Sequence, residues 1–352
     1  MFTRLVSLLS MGLLNCITPF EPDAKFTRIQ LTVDGILTDQ PGPHKVRLYY
    51  SLAASNFDFL PYLFPADATV LIQDDLGNQE ALKYTDNGYF VSQSGTLQGR
   101  VGRSYFLKIV MSDGTTYQTL PELLKPVPHI DTINVSFQQL PQGPNALAGQ
   151  FNVSLNARDP ATKGDYYRWH WEHYELRKYC LDSSICNNSP CVRVLYPCCS
   201  GLRSWSITRC ETCINLLSDQ FINGREITNQ YILSAPYDAT SPYFVLIYQQ
   251  SLTESAYKFW TTLNEQVSNT GGIFDKPPAT VPGNIINVTN PKDQALGFFG
   301  ASSLIVKPFY VRRDNAGILP YPIINAALVL EKECRSSQEN YLATGVAPPG
   351  WD

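Results

Sequence analysis

Ser104-Tyr-Phe-Leu-Lys-Ile-Val-Met111 is followed by Ser112-Asp113-Gly114 and then by Thr115-Thr-Tyr-Gln-Thr119. Two short runs rich in β-branched and aromatic residues, of near-alternating polarity, flank a Gly-bearing polar turn, which is how a β-hairpin is written in sequence. The same grammar repeats upstream. Phe26–Asp34, Lys45–Ser51, Thr69–Gln73, Ala81–Thr85 and Gly88–Val91 have strand composition, and Asp75-Leu76-Gly77-Asn78 and Asp86-Asn87-Gly88 supply turns. Short strands at this density predict an immunoglobulin-like or transthyretin-like β-sandwich over residues 26–120. The stretch from Ala53 to Pro65, with Phe57, Phe59, Leu60, Tyr62 and Phe64, breaks the rhythm and reads as a packed loop or an aromatic surface for a partner.

Downstream, Pro121-Glu-Leu-Leu-Lys-Pro-Val-Pro128 is the best linker candidate, because its prolines exclude a central strand. A second β-rich domain is expected over 129–352, with strands at His129–Phe137, Gly149–Ala157, Tyr166–Tyr174, Tyr243–Tyr248, Asn284–Val288, Leu296–Phe299 and Leu304–Val311. One helix is predicted within it. Ser251-Leu-Thr-Glu254 has capping-box spacing, Leu252, Ala256, Phe259, Trp260, Leu263 and Val267 recur at helical intervals, and Gly271-Gly272 ends the run. That apolar face is read as core packing.

The N-terminus carries a different signal. Arg4 precedes an apolar run from Leu5 to Leu14 that stops at Cys16, with Leu13 three positions before it. A permanent membrane helix needs about 20 apolar residues, so the run reads as a signal peptide over 1–15. Its end resembles a bacterial lipobox, in which the cysteine is acylated, although Asn15 replaces the usual small residue; a short buried N-terminal segment is the alternative. Cys16 is thus the expected lipidation site, with a tether over 16–25 and membrane contact through the N-terminal lipid. The longest other apolar run, Ile323–Leu330, is too short to span a bilayer. Only 16% of residues are charged and the net charge is −4, which argues against nucleic acid, a ligand that rewards clustered Lys and Arg.

Besides Cys16, an insert over about 180–215 holds Cys180, Cys186, Cys191, Cys198, Cys199, Cys210 and Cys213, and Cys334 lies near the C-terminus. In an exported chain these predict a disulfide framework of open connectivity, with Cys334 bonded to one member of the odd-numbered cluster if all are oxidised. The rival is zinc, since Cys210-Glu-Thr-Cys213 has knuckle spacing and His170 and His173 lie upstream. Those histidines differ by an odd number within a predicted strand, so they should face opposite sides. Glu172 and Glu175 are separated in the same way. No G-x-S-x-G, H-E-x-x-H, Walker or G-x-G-x-x-G motif occurs, and His44 and His129 read as turn or packing residues. No catalytic residue, metal ligand or cofactor is therefore assigned, and a non-enzymatic protein is expected.

Several further stretches run in a familiar order: Val33-Asp34-Gly35, Asp86-Asn87-Gly88-Tyr89, Tyr167-Arg168-Trp169, Tyr248-Gln-Gln-Ser-Leu-Thr253, Tyr257-Lys-Phe-Trp260, Gly272-Ile-Phe-Asp275, Pro278, Gly283-Asn-Ile285, Leu296-Gly-Phe-Phe299 and Pro348-Pro-Gly-Trp351. On these, the chain resembles a lipoprotein family of the Bacteroidota catalogued as a domain of unknown function, DUF4249. The resemblance implies an outer-membrane, surface-exposed lipoprotein acting as accessory or substrate-binding partner of a TonB-dependent transporter. Exposure on the periplasmic face is the alternative location, because after Cys16 only Phe20 and Glu21 match one surface-export motif. An adhesion or envelope-structural module without a transport partner is the alternative role.

Overall fold

The computed structural model describes residues 30–51, 64–93, 97–141, 147–176, 179–182, 194–197, 205–210, 213–268, 281–320, 343–344 and 346–351. Cys16 and its tether, Ala53–Leu63, Cys186, Cys191, Cys198, Cys199 and Cys334 lie outside them. The chain is mainly β, as the strand grammar predicts. No helix among the described residues is long and apolar enough to cross a membrane.

The first half supplies β1 (Gln30–Thr38), β2 (Lys45–Ser51), β3 (Thr69–Asp74), β4 (Gln79–Tyr84), β5 (Tyr89–Val91), β6 (Ser104–Val110), β7 (Thr116–Thr119) and β8 (Glu122–Leu123). In β6, Tyr105, Leu107 and Ile109 are buried while their neighbours stay partly exposed, the period-two pattern of a sheet with one apolar face. The second half supplies β9 (Ile130–Gln139), β10 (Gly149–Arg158), β11 (Tyr166–Leu176), β12 (Tyr179–Asp182), β13 (Val194–Pro197), β14 (Trp205–Arg209), β15 (Asn215–Ser218), β16 (Glu226–Pro236) and β17 (Tyr243–Leu252). The helix α1 (Glu254–Ser268), β18 (Ile285–Asn287), β19 (Leu296–Ser302), β20 (Leu304–Val311) and β21 (Ala343–Thr344) complete it.

A 10-stranded sheet runs in the order β18-β7-β6-β3-β4-β5-β2-β1-β19, with β8 beside β6. Side chains from along this path, including Leu31, Val46, Ile72, Leu107, Ile285 and Phe299, meet in one core. Fully burying each such side chain contributes roughly 1.5–3 kcal/mol relative to exposure. A three-stranded sheet, β16-β10-β9, faces a six-stranded one, β20-β17-β11-β14-β21 with β15 beside β11. Phe151, Val153, Leu155, Leu233 and Ala235 from the first meet Tyr167, Trp169, Val245, Ile247 and Val311 from the second.

Two features tie the halves together. Although they follow the Pro-rich segment in sequence, β18 and β19 pair with the first sheet: β19 lies parallel to β1 from Thr32↔Leu296 to Thr38↔Ser302, and β18 lies antiparallel to β7. The Pro121–Pro128 segment is itself packed. Glu122 and Leu123 pair with β6, Leu124 is fully buried, Ser251 Oγ donates to Lys125 O at 2.6 Å, and Gln249 Nε2 donates to Pro128 O. Its prolines keep the strand short without making the segment loose.

The helix forms where its apolar spacing predicts, but its cap differs. Ser251 is a residue of β17, opposite Tyr167, and its hydroxyl is engaged by Lys125 O and Ser303 N. Thr253 is the true N-cap: its Oγ1 accepts from Ala256 N at 3.1 Å. Glu254 then stands in the first turn and pairs with Lys258. In the insert, β12 and β13 form a hairpin that its poor periodicity did not announce. Cys210 and Cys213 are joined as a disulfide with Cα atoms 5.3 Å apart, which removes the zinc-knuckle reading of that pair.

Candidate functional site

Strand β11 has two faces, and their division of labour builds the site. Tyr167 and Trp169, both 1% exposed, point into the sandwich core, and buried His173 lies on the same side. Arg168, His170 and Glu172 alternate with them and face a cavity of about 1090 Å³. The opposite-face expectation for His170 and His173 is met by this geometry. His173 Nδ1 lies 2.7 Å from Phe244 O and its ring stacks on Tyr243; burial lowers its pKa to about 4. Of the other histidines, His44 is buried with Nε2 3.0 Å from Leu97 O, and His129 is exposed.

The remaining walls come from distant parts of the chain. β1 gives Thr32, Asp34 and Ile36, β19 gives Leu296, Phe298 and Gly300, β17 gives Gln250, and α1 gives Ala256, Phe259, Trp260 and Leu263. The helix face read as core packing is therefore only partly so: Ala256 is buried against Leu252 and Phe298, while Phe259 and Trp260 line the cavity. Val33-Asp34-Gly35, Arg168, Gln250, Phe259-Trp260 and Leu296-Gly297-Phe298, segments that carry the family resemblance, converge here. A large concavity with apolar walls and a few polar groups is the usual form of a small-molecule site.

The charges in the cavity are unequal. Glu172 is held by three donors: it accepts from Tyr174 Oη at 2.8 Å and Tyr248 Oη at 2.9 Å, and it pairs with Arg209 Nε at 2.6 Å. His170 stacks on Tyr248 with ring centroids 4.5 Å apart. Burial, with help from Arg168 and Arg209, lowers its pKa to about 3, so the ring is neutral at pH 7, and its buried Nδ1 has no partner among the described residues. Asp34 keeps access to solvent through the cavity, yet the surrounding walls desolvate its carboxyl and raise its pKa, while Arg168 and Arg47 pull the other way.

Arg168 is the group left wanting. Its guanidinium lies 3.7 Å from the Trp260 ring centroid, a cation–π contact, and Nη1 donates to Gln250 Oε1 at a long 3.4 Å. Among the described residues its buried Nε has no acceptor and no carboxylate forms an ion pair with it. Burial lowers its pKa to about 10, with Asp34 opposing, so it remains charged at neutral pH.

A second polar cluster lies elsewhere. Buried Asp159, Asp165 and Asp219 bring carboxylate oxygens within 4.8 Å of one another. Hard oxygens of this kind suit calcium or magnesium, but protein donors already engage each carboxylate. Tyr167 Oη and Gly224 N bond Asp159, Thr162 Oγ1 and Lys125 Nζ bond Asp165, and Gly164 N bonds Asp219 at 2.8 Å. These bonds knit the turn after β10 to the turn before β16.

Sequence reasoning named none of the cavity residues as a site. Arg168 and Trp260 stood inside quoted motifs, and the signal that could have raised them is the alternation of charged and aromatic residues along Tyr166–Leu176. The site residues it did name are cysteines: Cys16 lies outside the described residues, and the others lie in the insert or, for Cys334, beyond it.

Comparison with known proteins adds a family and little else. No curated protein matches the chain. Among solved structures, a Salmonella alpha-2-macroglobulin mutant aligns over 64% of this chain at 14% identity and a TM-score of 0.18. The chain spans only 14% of that protein's length, and the likeness carries no argument. The profile of a family described as a domain of unknown function, DUF4249, matches residues 17–304, most of the chain, and the protein belongs to that family.

Proposed function

We propose that this protein is a lipid-anchored envelope protein that binds a small-molecule ligand in the cavity beneath α1 and works beside a TonB-dependent transporter of the outer membrane, on the cell surface. The observation that carries the reading is the cavity itself, about 1090 Å³ walled by Phe259, Trp260 and Phe298 and holding Arg168. Binding without turnover is favoured by the state of Glu172, whose carboxylate is held by three donors and committed to the wall. The anchor follows from Cys16, and the transporter from the family resemblance. Extraction in mild detergent followed by affinity pull-down tests the partnership. A TonB-dependent receptor should co-purify, whereas recovery of the protein alone, under conditions that preserve known receptor complexes, would contradict it and leave the adhesion reading in its place.

A further inference from the structure

We infer that the cavity takes a ligand with a single carboxylate on an apolar or aromatic body, and that Arg168 is the anchor for that carboxylate. The inference rests on the reading of the cavity as a ligand site and names the chemistry that site selects.

The argument begins with an unmet need. A guanidinium carries five N–H donors in a planar fork, and those buried in a wall must find acceptors. Arg168 has one face on Trp260, one long bond to Gln250 Oε1, and a buried Nε with no acceptor. With its face on Trp260 and its Nε closed to solvent, the Nη edge of the fork is what remains for a ligand, and a carboxylate is the acceptor that fits such an edge with two parallel bonds.

Charge selects the number of negative groups. Arg209 is already paired with Glu172, and the buried His170 ring is neutral at pH 7. Among the described residues that line the cavity, Arg168 is therefore the cation without an ion pair. Asp34 lines the same cavity and couples electrostatically to Arg168, so an ionised Asp34 already offsets part of that one positive charge and a second negative charge on the ligand, as on the phosphate dianion, has no partner. The body of the ligand follows from the other walls: Phe259, Leu263, Leu296 and Phe298 offer apolar contact.

The test uses the full chain purified in detergent and ligand-observed NMR titration. The probes are phenylacetate, its neutral isostere phenylacetamide, and inorganic phosphate. Phenylacetate should bind at least about tenfold more tightly than phenylacetamide, about the weight of one charge-assisted hydrogen-bonded pair, and phosphate should bind more weakly than either. In Arg168→Gln the preference for carboxylate over amide should vanish, and Arg168→Lys, which keeps the charge but not the fork, should recover part of it. The comparison of the two isosteres on the unaltered protein stands even if a variant fails to fold. Equal affinity for phenylacetate and phenylacetamide overturns the anchor while leaving the cavity a ligand site. Tighter binding of phosphate overturns the monocarboxylate. Failure of all three probes overturns the anchor, and the ligand-site reading then rests on whether uncharged probes such as sugars bind.

Discussion

Replacing Gly297 with alanine should unfold the junction between the two halves of the chain, and the size of the effect can be worked from geometry. Gly297 sits in β19 opposite Val33 of β1, with φ at +90°, and an added Cβ would lie 1.9 Å from Val33 O. Gly283 approaches from the other side, since a Cβ there would lie 1.7 Å from Gly297 O. Three backbone segments thus meet where only glycine fits. The left-handed conformation alone costs about 1–2 kcal/mol for an L-residue. Forcing apart a parallel ladder adds about 1–3 kcal/mol of overpacking. The sum, about 2–5 kcal/mol, is a large share of the roughly 5–15 kcal/mol that stabilises a typical domain. Gly77→Ala is the control, because its φ is +85° but no atom lies within 4 Å of the added carbon. Urea unfolding followed by tryptophan fluorescence should place the Gly297→Ala midpoint about 1 M below that of wild type, with Gly77→Ala between them. Equal midpoints for the two variants would refute the close approach of β19 to β1.

Three other outcomes follow from residues described above. His173, with a folded pKa of about 4 against an unfolded value near 6.5, binds fewer protons folded than unfolded between those values, so its stabilisation is lost as pH falls through that window. His173→Gln should remove about 2 kcal/mol of the stability difference between pH 7 and pH 5; Glu122, whose buried carboxyl is raised and acts in the opposite direction, is common to both proteins, and an unchanged pH slope would exclude His173. Cys16→Ser should abolish acylation and release the body to the soluble fraction, and retention on membranes after a high-salt wash, without partners, would contradict the anchor. With Cys210 and Cys213 joined, mass mapping of non-reduced fragments should find Cys334 bonded to Cys180, Cys186, Cys191, Cys198 or Cys199; a free Cys334 thiol would exclude that clamp.

Local signals read well where local chemistry decides. Lys45–Ser51 and Leu304–Val311 match their strands residue for residue. Where tertiary partners decide, the sequence is silent or misleading. Ser251 has the spacing of a cap, yet β17 extends through it because Tyr167 and Lys125 are there to receive it. Glu226–Pro236 is a strand that escaped notice, because Thr228, Asn229 and Gln230 interrupt its apolar pattern and Asn229 takes a positive φ of 51° beside irregular pairing with β10. The partnership of β19 with β1 spans most of the chain and leaves no periodicity to read. The cavity shares that difficulty. Alternation alone puts Arg168 and His170 on one face of a strand, but what covers that face comes from β1, α1 and β19, and only the fold brings them together.

The measurement that bears most directly on the cavity as a ligand site uses Gly300. It lines the cavity, and a Cβ there would meet nothing closer than 3.9 Å, so Gly300→Phe should fill the space without disturbing the β1–β19 ladder. Ligand-observed NMR of a fragment set containing aromatic carboxylates, amides and sugars should give hits on the wild-type protein that disappear in Gly300→Phe while the melting temperature holds. The same hits on both proteins, or none on either, would contradict the account.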